Sequence, residues 1–573
     1  MEVSRIPRVV NPLTVAYNKI SKPRLVLDCR HINPHLYRFR FKYEDAIVAR
    51  EIFKNGDYLF GYDLKSAYHY CEIFIEHRQY LGFAWDFDGK TRYFTFNVLP
   101  FGISAAGYIF SKLTREVVKH FRSLGIKVIM YVDEGLAGSH DYDSCMNISN
   151  QVRLQLETLG FLLAHEKCNW LPVKNIIWLG YIWDTKEGKI FVSQERIDKL
   201  DSIISSVLQK VSADKLLFFA RTLASIVGQI ISMHIVFGNI VRFHTRFLYF
   251  CIKDKASWDA KVMLTSSALN ELFFWNNHLS TLNNEGVFLF HTENSHFDLK
   301  CFFDASDVGF GGFLVNENSP SLESKEISGN WNEFEQVQNY TWRELECVHR
   351  MVGSFAKYLE NKTVLMSTYN KNVAHILKVG SKKMYLQQIV VDISNICDKN
   401  AIVLQAKWIH RSENLRADQL SRIIDHDDWA IKQEIYEELG CTWGPYTIDL
   451  FATHYNTKCV KFNSPIWCPG TEAIDAFLQS WSNDINWWVP PPSVLPRVIN
   501  KLVNEKATGT LVVPEWKSAP LWPMLFNNNV AVSFVKFISV LPDSRIIIKG
   551  TGKNGVFVQW PMKFRILALK IEF

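Results

Sequence analysis

The segment Ile129-Met-Tyr-Val-Asp-Glu-Gly-Leu136 joins an apolar run to two adjacent acids. Val128 to Tyr131 is apolar, Asp133 and Glu134 follow, and a glycine comes next. An apolar run of this length that ends near Gly predicts a buried strand with a sharp turn. Two carboxylates at such a hairpin tip are costly unless a cation neutralises them, so the segment indicates a metal site. A solvated turn that carries two acids is the alternative.

Five further motifs combine short apolar runs with charged or aromatic residues. With the first segment they are, in chain order, Arg24-Leu-Val-Leu-Asp28-Cys-Arg30-His-Ile-Asn33, Asp63-Leu-Lys-Ser-Ala-Tyr68, Leu99-Pro-Phe-Gly102, Tyr131-Val-Asp-Glu134, Gly160-Phe161 with Lys167, and Trp178-Leu-Gly180-Tyr181. This series resembles a reverse transcriptase in both order and spacing. One motif alone would be weak, whereas six in order make the resemblance strong over residues 20–182.

The resemblance implies a right-hand polymerase with fingers and palm in residues 1–182 and a helical thumb and connection in residues 183–295. Asp63 and Asp133 would bridge two Mg²⁺ (or Mn²⁺) ions, which activate the primer 3′-hydroxyl and stabilise charge on the phosphate. Glu134 stands where the family carries a second aspartate. Its extra methylene predicts reduced activity, because metal sites tolerate ligand errors of only about 0.2 Å.

The same resemblance assigns residues to the substrates. Arg24, and more loosely Lys22, match basic residues that grip the nucleotide triphosphate, for which the planar Arg fork is suited. Tyr68 matches an aromatic gate that excludes a 2′-hydroxyl, and Lys167 a lysine near the leaving pyrophosphate. The residues expected to bind substrate are Arg24, Lys22, Tyr68, Phe101, Gly102, Tyr131, Trp178 and Gly180. An exposed arginine, a core tyrosine and a solvated lysine are the ordinary alternatives.

A second acidic constellation follows in residues 296–425. It consists of Leu299-Lys-Cys-Phe-Phe-Asp304 before a Gly-rich turn, Trp342-Arg-Glu344, and Asn414-Leu-Arg-Ala-Asp418-Gln-Leu-Ser. This order resembles a ribonuclease H and implies that Asp304, Glu344 and Asp418 hold Mg²⁺. The family's further acid, in the setting Thr-Asp-Asn, is replaced in Thr368-Tyr369-Asn370. A neutral phenol is a poor ligand for Mg²⁺, so an impaired nuclease is expected.

Residues 426–573 alternate short strands and helices, which predicts an α/β Rossmann-like module. A strand over Ala531–Val540 and a helix over Val494–Lys506 are expected. Asp449-Leu-Phe-Ala452 and the later prolines resemble the segment after ribonuclease H in DIRS-type, tyrosine-recombinase retroelements, which is distantly similar to an adenine methyltransferase. Val489-Pro-Pro-Pro492 lacks the Asn and the aromatic residue of the methyltransferase motif. A structural or nucleic-acid-binding module is therefore expected.

Composition narrows the class of protein. The chain has 573 residues, 48% of them hydrophobic, which suits several domains and argues against disorder. The net charge of +6 suits a polyanion partner, although an ordinary basic protein has the same charge. The eleven cysteines contain no Cys-x-x-Cys pair, so no zinc ribbon is expected. No signal peptide is evident, and Leu223–Val241 is predicted as a buried helix, which favours an intracellular protein, nuclear or cytoplasmic, without a membrane span.

The sequence thus predicts the reverse transcriptase and ribonuclease H region of a DIRS-type retroelement polyprotein. Its expected fold is a multidomain combination of α+β and α/β modules. Its expected partners are an RNA template, a DNA primer, the RNA–DNA hybrid and deoxynucleoside triphosphates. The alternative is a catalytically decayed or domesticated descendant that binds nucleic acid or a protein partner, which the departures at Glu134 and Tyr369 favour.

Overall fold

The structure is a computed structural model that describes residues 1–18, 21–37, 40–213, 215–289, 297–316, 325–423, 429–528, 530–542, 547–549, 557 and 562–573. The chain folds into two compact units. The first comprises Met1–Val241 and Phe247–Glu293, and the second comprises Arg242–Arg246 and Asn294–Phe573. Both contain helices and strands, so the predicted mixed α/β, multidomain class is confirmed at this level.

The strands up to residue 289 are β1 Glu2–Val3, β2 Leu13–Asn18, β3 Ser21–Leu27, β4 Tyr58–Asp63, β5 Gly82–Phe87, β6 Lys90–Thr95, β7 Lys127–Tyr131, β8 Glu134–Ser139, β9 Asn169–Val173, β10 Asn175–Trp178, β11 Tyr181–Asp184, β12 Lys189–Val192, β13 Leu217–Phe219, β14 Lys261–Met263 and β15 Val287–Phe288. The helices are α1 Ala46–Ile52, α2 Ala106–Ser123, α3 Tyr142–Thr158, α4 Gln194–Val211, α5 Ala220–Ile231, α6 His234–Phe237, α7 Ile240–Phe243, α8 Arg246–Lys253 and α9 Ser266–Glu285.

A four-stranded sheet of order β7-β8-β4-β9 carries the first group of acids. β4 lies inside this sheet and is buried along nearly its whole length, as its apolar sequence predicts. Helices α2 and α3 contribute Phe110, Phe121 and Val152 to the same core. A second sheet, of order β10-β11-β12-β15, follows directly in the chain.

The prediction of one helix over the apolar segment Leu223–Val241 is wrong. The segment was expected to form a single buried helix, but α5 ends at Ile231 and the short helices α6 and α7 follow. Gly238 has φ +60° and ends α6, because this conformation cannot continue a right-handed helix. Among the residues that the structure describes, no helix combines the length and apolarity that a bilayer crossing requires.

The strands after residue 296 are β16 Leu299–Ala305, β17 Gly309–Val315, β18 Glu326–Asn330, β19 Thr363–Thr368, β20 Val403–Trp408, β21 Trp429–Ile431, β22 Ile448–Asp449, β23 Lys461–Ser464, β24 Ala473–Ile474, β25 Ile485–Trp488, β26 Thr508–Pro514, β27 Phe526–Asn527, β28 Val530–Ala531, β29 Val535–Val540, β30 Ile547–Lys549 and β31 Ile566–Ile571. The helices are α10 Glu333–Gln336, α11 Tyr340–Leu359, α12 Lys371–Val379, α13 Met384–Lys399, α14 Leu415–Leu420, α15 Gln433–Trp443, α16 Leu495–Glu505 and α17 Trp522–Leu525.

Two larger sheets lie in the second unit, in addition to the two-stranded sheets β21-β30 and β27-β28. The first has the order β18-β17-β16-β19-β20, antiparallel on the β17 side of β16 and parallel on the β19 side. The second has the order β24-β23-β22-β25-β26-β31-β29, with β31 antiparallel to both neighbours. The strand expected over Ala531–Val540 is divided into β28 and β29, and the helix expected over Val494–Lys506 is α16.

Candidate active site

Three acids meet at one end of the β7-β8-β4-β9 sheet. Asp63 ends β4 and lies opposite Glu134, the first residue of β8. Residues that lie opposite each other on antiparallel strands share a face, with Cβ atoms about 4.5–5.5 Å apart. Asp133 lies in the tight turn between Tyr131 and Glu134, which pair with each other. The hairpin therefore brings the predicted acids together.

The hairpin turn carries backbone strain. Val132 has φ +57°, in the left-handed region where a β-branched residue is a true outlier. The Leu64 amide donates a hydrogen bond of 2.9 Å to the Asp133 carbonyl and so ties the turn to the end of β4. Strain of this kind persists only where the surroundings fix it, and it clusters at functional sites.

The acidic groups at this site outnumber the basic groups beside them. Burial raises the pKa of Asp133, with a further rise from the Asp63 charge. Burial and the charges of Asp63 and Asp133 likewise raise the pKa of Glu134, against a smaller opposing contact with the Leu179 backbone. Lys167 Nζ lies 3.1 Å from Asp63 Oδ2, and this hydrogen bond raises the pKa of Lys167. Arg24 lies close enough to offset part of the charge on Asp133.

The chemistry of this donor set fits Mg²⁺. Carboxylate oxygens are its preferred ligands, and it usually takes one or two of them together with substrate phosphates. Asp63 and Asp133 could supply two. Across the described ranges, no group of three or more His, Cys, Asp or Glu side chains is placed to hold a metal ion. The two acids would therefore need oxygen ligands from a phosphate or from water.

An aromatic wall lies beside the acids. Tyr68 lies in a short 3₁₀ helix, and its ring is 5.2 Å from that of Phe101. Burial, with smaller contributions from Tyr43 and Asp133, raises the pKa of Tyr68. The guanidinium of Arg24 lies 5.6 Å from the centre of the Phe101 ring. The structure thus brings Arg24, Tyr68 and Phe101 to the side of Asp133.

Gly102 is held against β3. It has φ +115°, and a Cβ at this position would lie 1.9 Å from the Leu27 carbonyl oxygen. Asn33 Nδ2 donates to the Gly102 carbonyl at 3.0 Å, and the Ser104 amide donates to Asn33 Oδ1 at 2.8 Å. Asn33 therefore clamps the loop of Phe101 and Gly102. Asn33 closes the first motif, but nothing in the sequence around it predicts this contact.

The remaining predicted substrate residues lie at three further places. Tyr131 ends β7, and its ring lies 5.3 Å from that of Tyr43. Trp178 is buried at the end of β10, and Gly180 lies in the turn before β11 with φ +72°. Lys22 lies in β3, and its side chain is outside the described part of the chain.

The second acidic constellation is partly assembled. Asp304 at the end of β16 and Glu344 on α11 are both buried. Burial and the nearby Asp304 charge raise the pKa of Glu344 well above its ordinary value. Tyr340 provides a hydrogen bond to the Glu344 carboxyl, and its hydroxyl also contacts that of Tyr369. Two phenols thus cover the two acids.

Asp418 is bound by arginines. Its Oδ1 lies 3.2 Å from Arg411 Nη2 and 3.0 Å from Arg422 Nη2. These hydrogen bonds lower the pKa of Asp418, and the one from Arg422 has the largest effect. Across the residues that the structure describes, Asp418 is not grouped with Asp304 and Glu344 as a set of three metal ligands, so its role as a Mg²⁺ ligand stays a prediction. The loss of a carboxylate at Tyr369 was predicted from the sequence, whereas the roles of Tyr340, Arg411 and Arg422 were not.

A cavity of about 710 Å³ lies in the second unit. Phe451, Asp475 and Phe477 form one side, just beyond the carboxyl ends of β22 and β24. Ser328 and Asn330 of β18 form part of the other side. Cavities at this edge of a parallel sheet commonly hold ligands. Asp449 lies outside it, and burial raises the pKa of Asp449 to about 7.

The part of the chain that contains the first group of acids matches a known protein family. Residues 5–183 match the family described as reverse transcriptase (RNA-dependent DNA polymerase). The chain therefore contains a reverse transcriptase domain that includes Asp63 and Asp133. No curated protein matches the chain.

Three solved structures of a foamy viral protease-reverse transcriptase are similar to the chain. One, in complex with double-stranded DNA, has 16% identity and a TM-score of 0.43, over 71% of this chain and 66% of that one. Another, in complex with an RNA/DNA hybrid, has 15% identity and a TM-score of 0.42, over 72% and 51%. A third, with double-stranded DNA, has 15% identity and a TM-score of 0.42, over 72% and 79%.

Proposed function

We propose that the chain is an RNA-directed DNA polymerase that adds deoxynucleotides to a primer 3′-hydroxyl. The observation that carries this proposal is the meeting of Asp63 and Asp133 beside Lys167 and Arg24, inside a domain of the reverse transcriptase family. Its substrates would be an RNA template, a DNA primer and deoxynucleoside triphosphates.

Each residue of the site would have a defined task. Asp63 and Asp133 would hold Mg²⁺ or Mn²⁺, which when bound activates the hydroxyl nucleophile and stabilises charge on the phosphate. Lys167, now paired with Asp63, would turn to the leaving pyrophosphate. Arg24 would bind the triphosphate through its fork of donors. Tyr68, supported by Phe101, would lie under the sugar and exclude a 2′-hydroxyl.

We further propose four modules for the chain. Residues 1–182 would be fingers and palm, 183–295 thumb and connection, 296–425 a ribonuclease H-like module, and 426–573 a degenerate methyltransferase-like module of a DIRS-type element. The five-stranded and seven-stranded sheets of the second unit support the last two assignments. Because Tyr369 covers the acids and two arginines bind Asp418, the third module would hold the RNA–DNA hybrid without cutting it.

Primer extension on an RNA template with Mg²⁺ or Mn²⁺ tests the proposal. Asp133→Asn should reduce extension at least about a hundred-fold, because it removes a carboxylate that would touch the reacting centre. Glu134→Asp should retain or raise extension, since it restores the length of the family's second acid. Extension that persists unchanged in Asp133→Asn would contradict the assignment of this residue.

A catalytically silent nucleic-acid-binding protein is the second candidate function. The blocked second site and the glutamate at position 134 favour it. It predicts no extension by the wild-type chain or by either variant, together with intact binding of an RNA–DNA hybrid. Recovery of extension in Glu134→Asp alone would instead indicate a polymerase disabled by one methylene.

A further inference from the structure

Arg196 links three elements of the first unit. It lies in the first turn of α4, and its guanidinium contacts both the β10–β11 turn and the end of α5. Nη1 donates to the carbonyl of Gly180 at 3.2 Å and more weakly to that of Leu179 at 3.4 Å. Nη2 donates to Ser232 Oγ at 2.7 Å and to the Ser232 carbonyl at 3.1 Å. One side chain thus joins a turn to two helices.

The position of Arg196 within α4 is unfavourable for a cation. The positive end of the helix macrodipole lies at its first turn, where acids are preferred. The guanidinium nevertheless lies at the C-terminal end of α5, where unpaired carbonyls and the negative end of a dipole favour it. Tyr181 adds a ring 5.0 Å from this guanidinium and donates its hydroxyl to the Ser232 carbonyl at 2.5 Å. The contacts, not the helix, account for an arginine here.

The turn that Arg196 grips is a strained one. Leu179 and Gly180 have φ +51° and +72°, a two-residue hairpin turn with both residues left-handed. This conformation is unfavourable for leucine. A Cβ on Gly180 would lie 2.7 Å from Arg196 Cδ, so the arginine occupies the space that a side chain would need. On its other side, the backbone of Leu179 contacts the Glu134 carboxyl of the acidic hairpin.

We propose that Arg196 is a positioning residue that fixes the Leu179–Gly180 turn, so that the turn presents the primer 3′ end to Asp133. This inference rests on the proposed polymerase function and on the resemblance to a reverse transcriptase, which implies that the hairpin from Trp178 to Tyr181 grips the primer end. Loss of Arg196 would then misplace the primer and leave nucleotide binding by Arg24 and Tyr68 intact.

The test compares Arg196→Ala and Arg196→Lys with a control, Arg221→Ala. Arg221 is an exposed arginine in the first turn of α5 that pairs with Asp259 and lies outside the proposed machinery. Two readouts on the full chain are required. One is the KM for primer–template against the KM for deoxynucleotide, and the other is the fluorescence of 2-aminopurine at the primer 3′ end in the bound complex, which requires no catalysis.

Arg196→Ala should raise the KM for primer–template about ten-fold, the effect of losing one charge-assisted hydrogen bond, with an unchanged KM for nucleotide. Arg196→Lys should show most of this loss, because an ammonium cannot span both carbonyl groups. The 2-aminopurine signal of both Arg196 variants should differ from that of the wild type. The signal of Arg221→Ala should match that of the wild type. If Arg196→Ala does not fold, Arg196→Lys carries the test.

Two results would overturn the inference alone. The first is a folded Arg196→Lys variant whose KM for primer–template and 2-aminopurine fluorescence both equal those of the wild type. The second is an equal change in the KM for primer–template and the KM for nucleotide, which a general structural role would produce. A wild-type chain that binds primer–template but does not extend it leaves the fluorescence to decide in the same way. A wild-type chain that neither binds nor extends primer–template overturns the proposed function and this inference together.

Discussion

Gly102 shows how one residue fixes the wall of the site. Alanine there must adopt φ +115° and place its Cβ 1.9 Å from the Leu27 carbonyl, so β3 would have to move. We expect Gly102→Ala to lower the free energy of unfolding of the first unit by about 3 kcal/mol or more, from strain and overpacking together. Urea unfolding followed by tryptophan fluorescence measures the change.

Gly89→Ala is the matched control for Gly102. Gly89 has φ +75°, but nothing lies within 4 Å of a Cβ built there. Gly89→Ala should lower the free energy of unfolding only by the cost of the left-handed backbone conformation, about 1 kcal/mol. Equal losses in the two variants would show that the close approach of Gly102 to β3 carries no energy.

At the same scale, the sequence predicts acids better than it predicts their partners. Asp63 and Asp133 could be found because each follows a contiguous apolar strand. Tyr340 could have been found as well, since it precedes Glu344 by four residues and so shares a helix face with it. Arg422 could have been found in the same way, since it follows Asp418 by four residues. The contact of Arg411 with Asp418 could not be predicted, because an exposed arginine seven residues away has many rotamers and few sequence constraints.

The helix α11 depends on the residue that precedes it. The Asn339 side chain accepts a hydrogen bond from the Trp342 amide at 3.1 Å and so caps the helix. We expect Asn339→Ala to cost about 1 kcal/mol of stability in the second unit, whereas Asn339→Asp keeps the cap and suits the helix dipole. Thermal unfolding of both variants measures the difference. A similar loss in Asn339→Asp would assign the effect to the Asn339 contact with Tyr385 instead.

The residue after β19 determines whether the second site can hold a metal. Tyr369→Asp would place a third carboxylate beside Asp304 and Glu344, which should destabilise the unit by about 2 kcal/mol without a cation, since buried like charges repel. Added Mg²⁺ should restore part of this loss by binding only the folded state. Thermal unfolding with and without Mg²⁺ tests this, with Tyr369→Phe as the control that gains no metal response. Stabilisation of the wild type by Mg²⁺ would contradict the proposal that Tyr369 keeps metal ions out of the second site.

Elements were predictable where the local pattern agrees with tertiary packing. α4 begins after Ser193, a residue type that favours helix starts, although the Ser193 side chain makes no capping hydrogen bond. Leu223–Val241 was predicted as one helix because apolarity alone does not show where a chain turns within a core. β28 and β29 were merged for the same reason, since their separation depends on different strand partners.

Over the whole second unit, long-range charge contacts join elements that the sequence could not connect. His454, after β22, lies 3.3 Å from Glu335 Oε1 of α10, more than a hundred residues earlier in the chain. Arg350 of α11 also pairs with Glu335 and with Glu346. Neither the cavity nor this cluster follows from a motif, because each requires the positions of two separate sheets.

The His454 cluster predicts how the second unit responds to pH. Burial lowers the pKa of His454, but hydrogen bonds with Cys468 and Glu335 outweigh burial and raise it to about 9. A folded pKa above the unfolded value of about 6.5 means that the stabilisation is fully present below about pH 6.5 and is lost as pH rises through about 9. After discounting for partial exposure, it is on the order of 2 kcal/mol.

The difference between wild type and His454→Gln isolates this contribution from other groups that titrate in the unit, Asp449 among them. Urea unfolding of the second unit at intervals from pH 6 to 10 should show a large difference at pH 6 that shrinks towards zero near pH 10. His375→Gln, at an exposed position on α12, should match the wild type throughout. A constant difference across this range would mean that His454 acts through packing alone, and that Glu335 and Arg350 stabilise the unit without a protonated histidine between the two sheets.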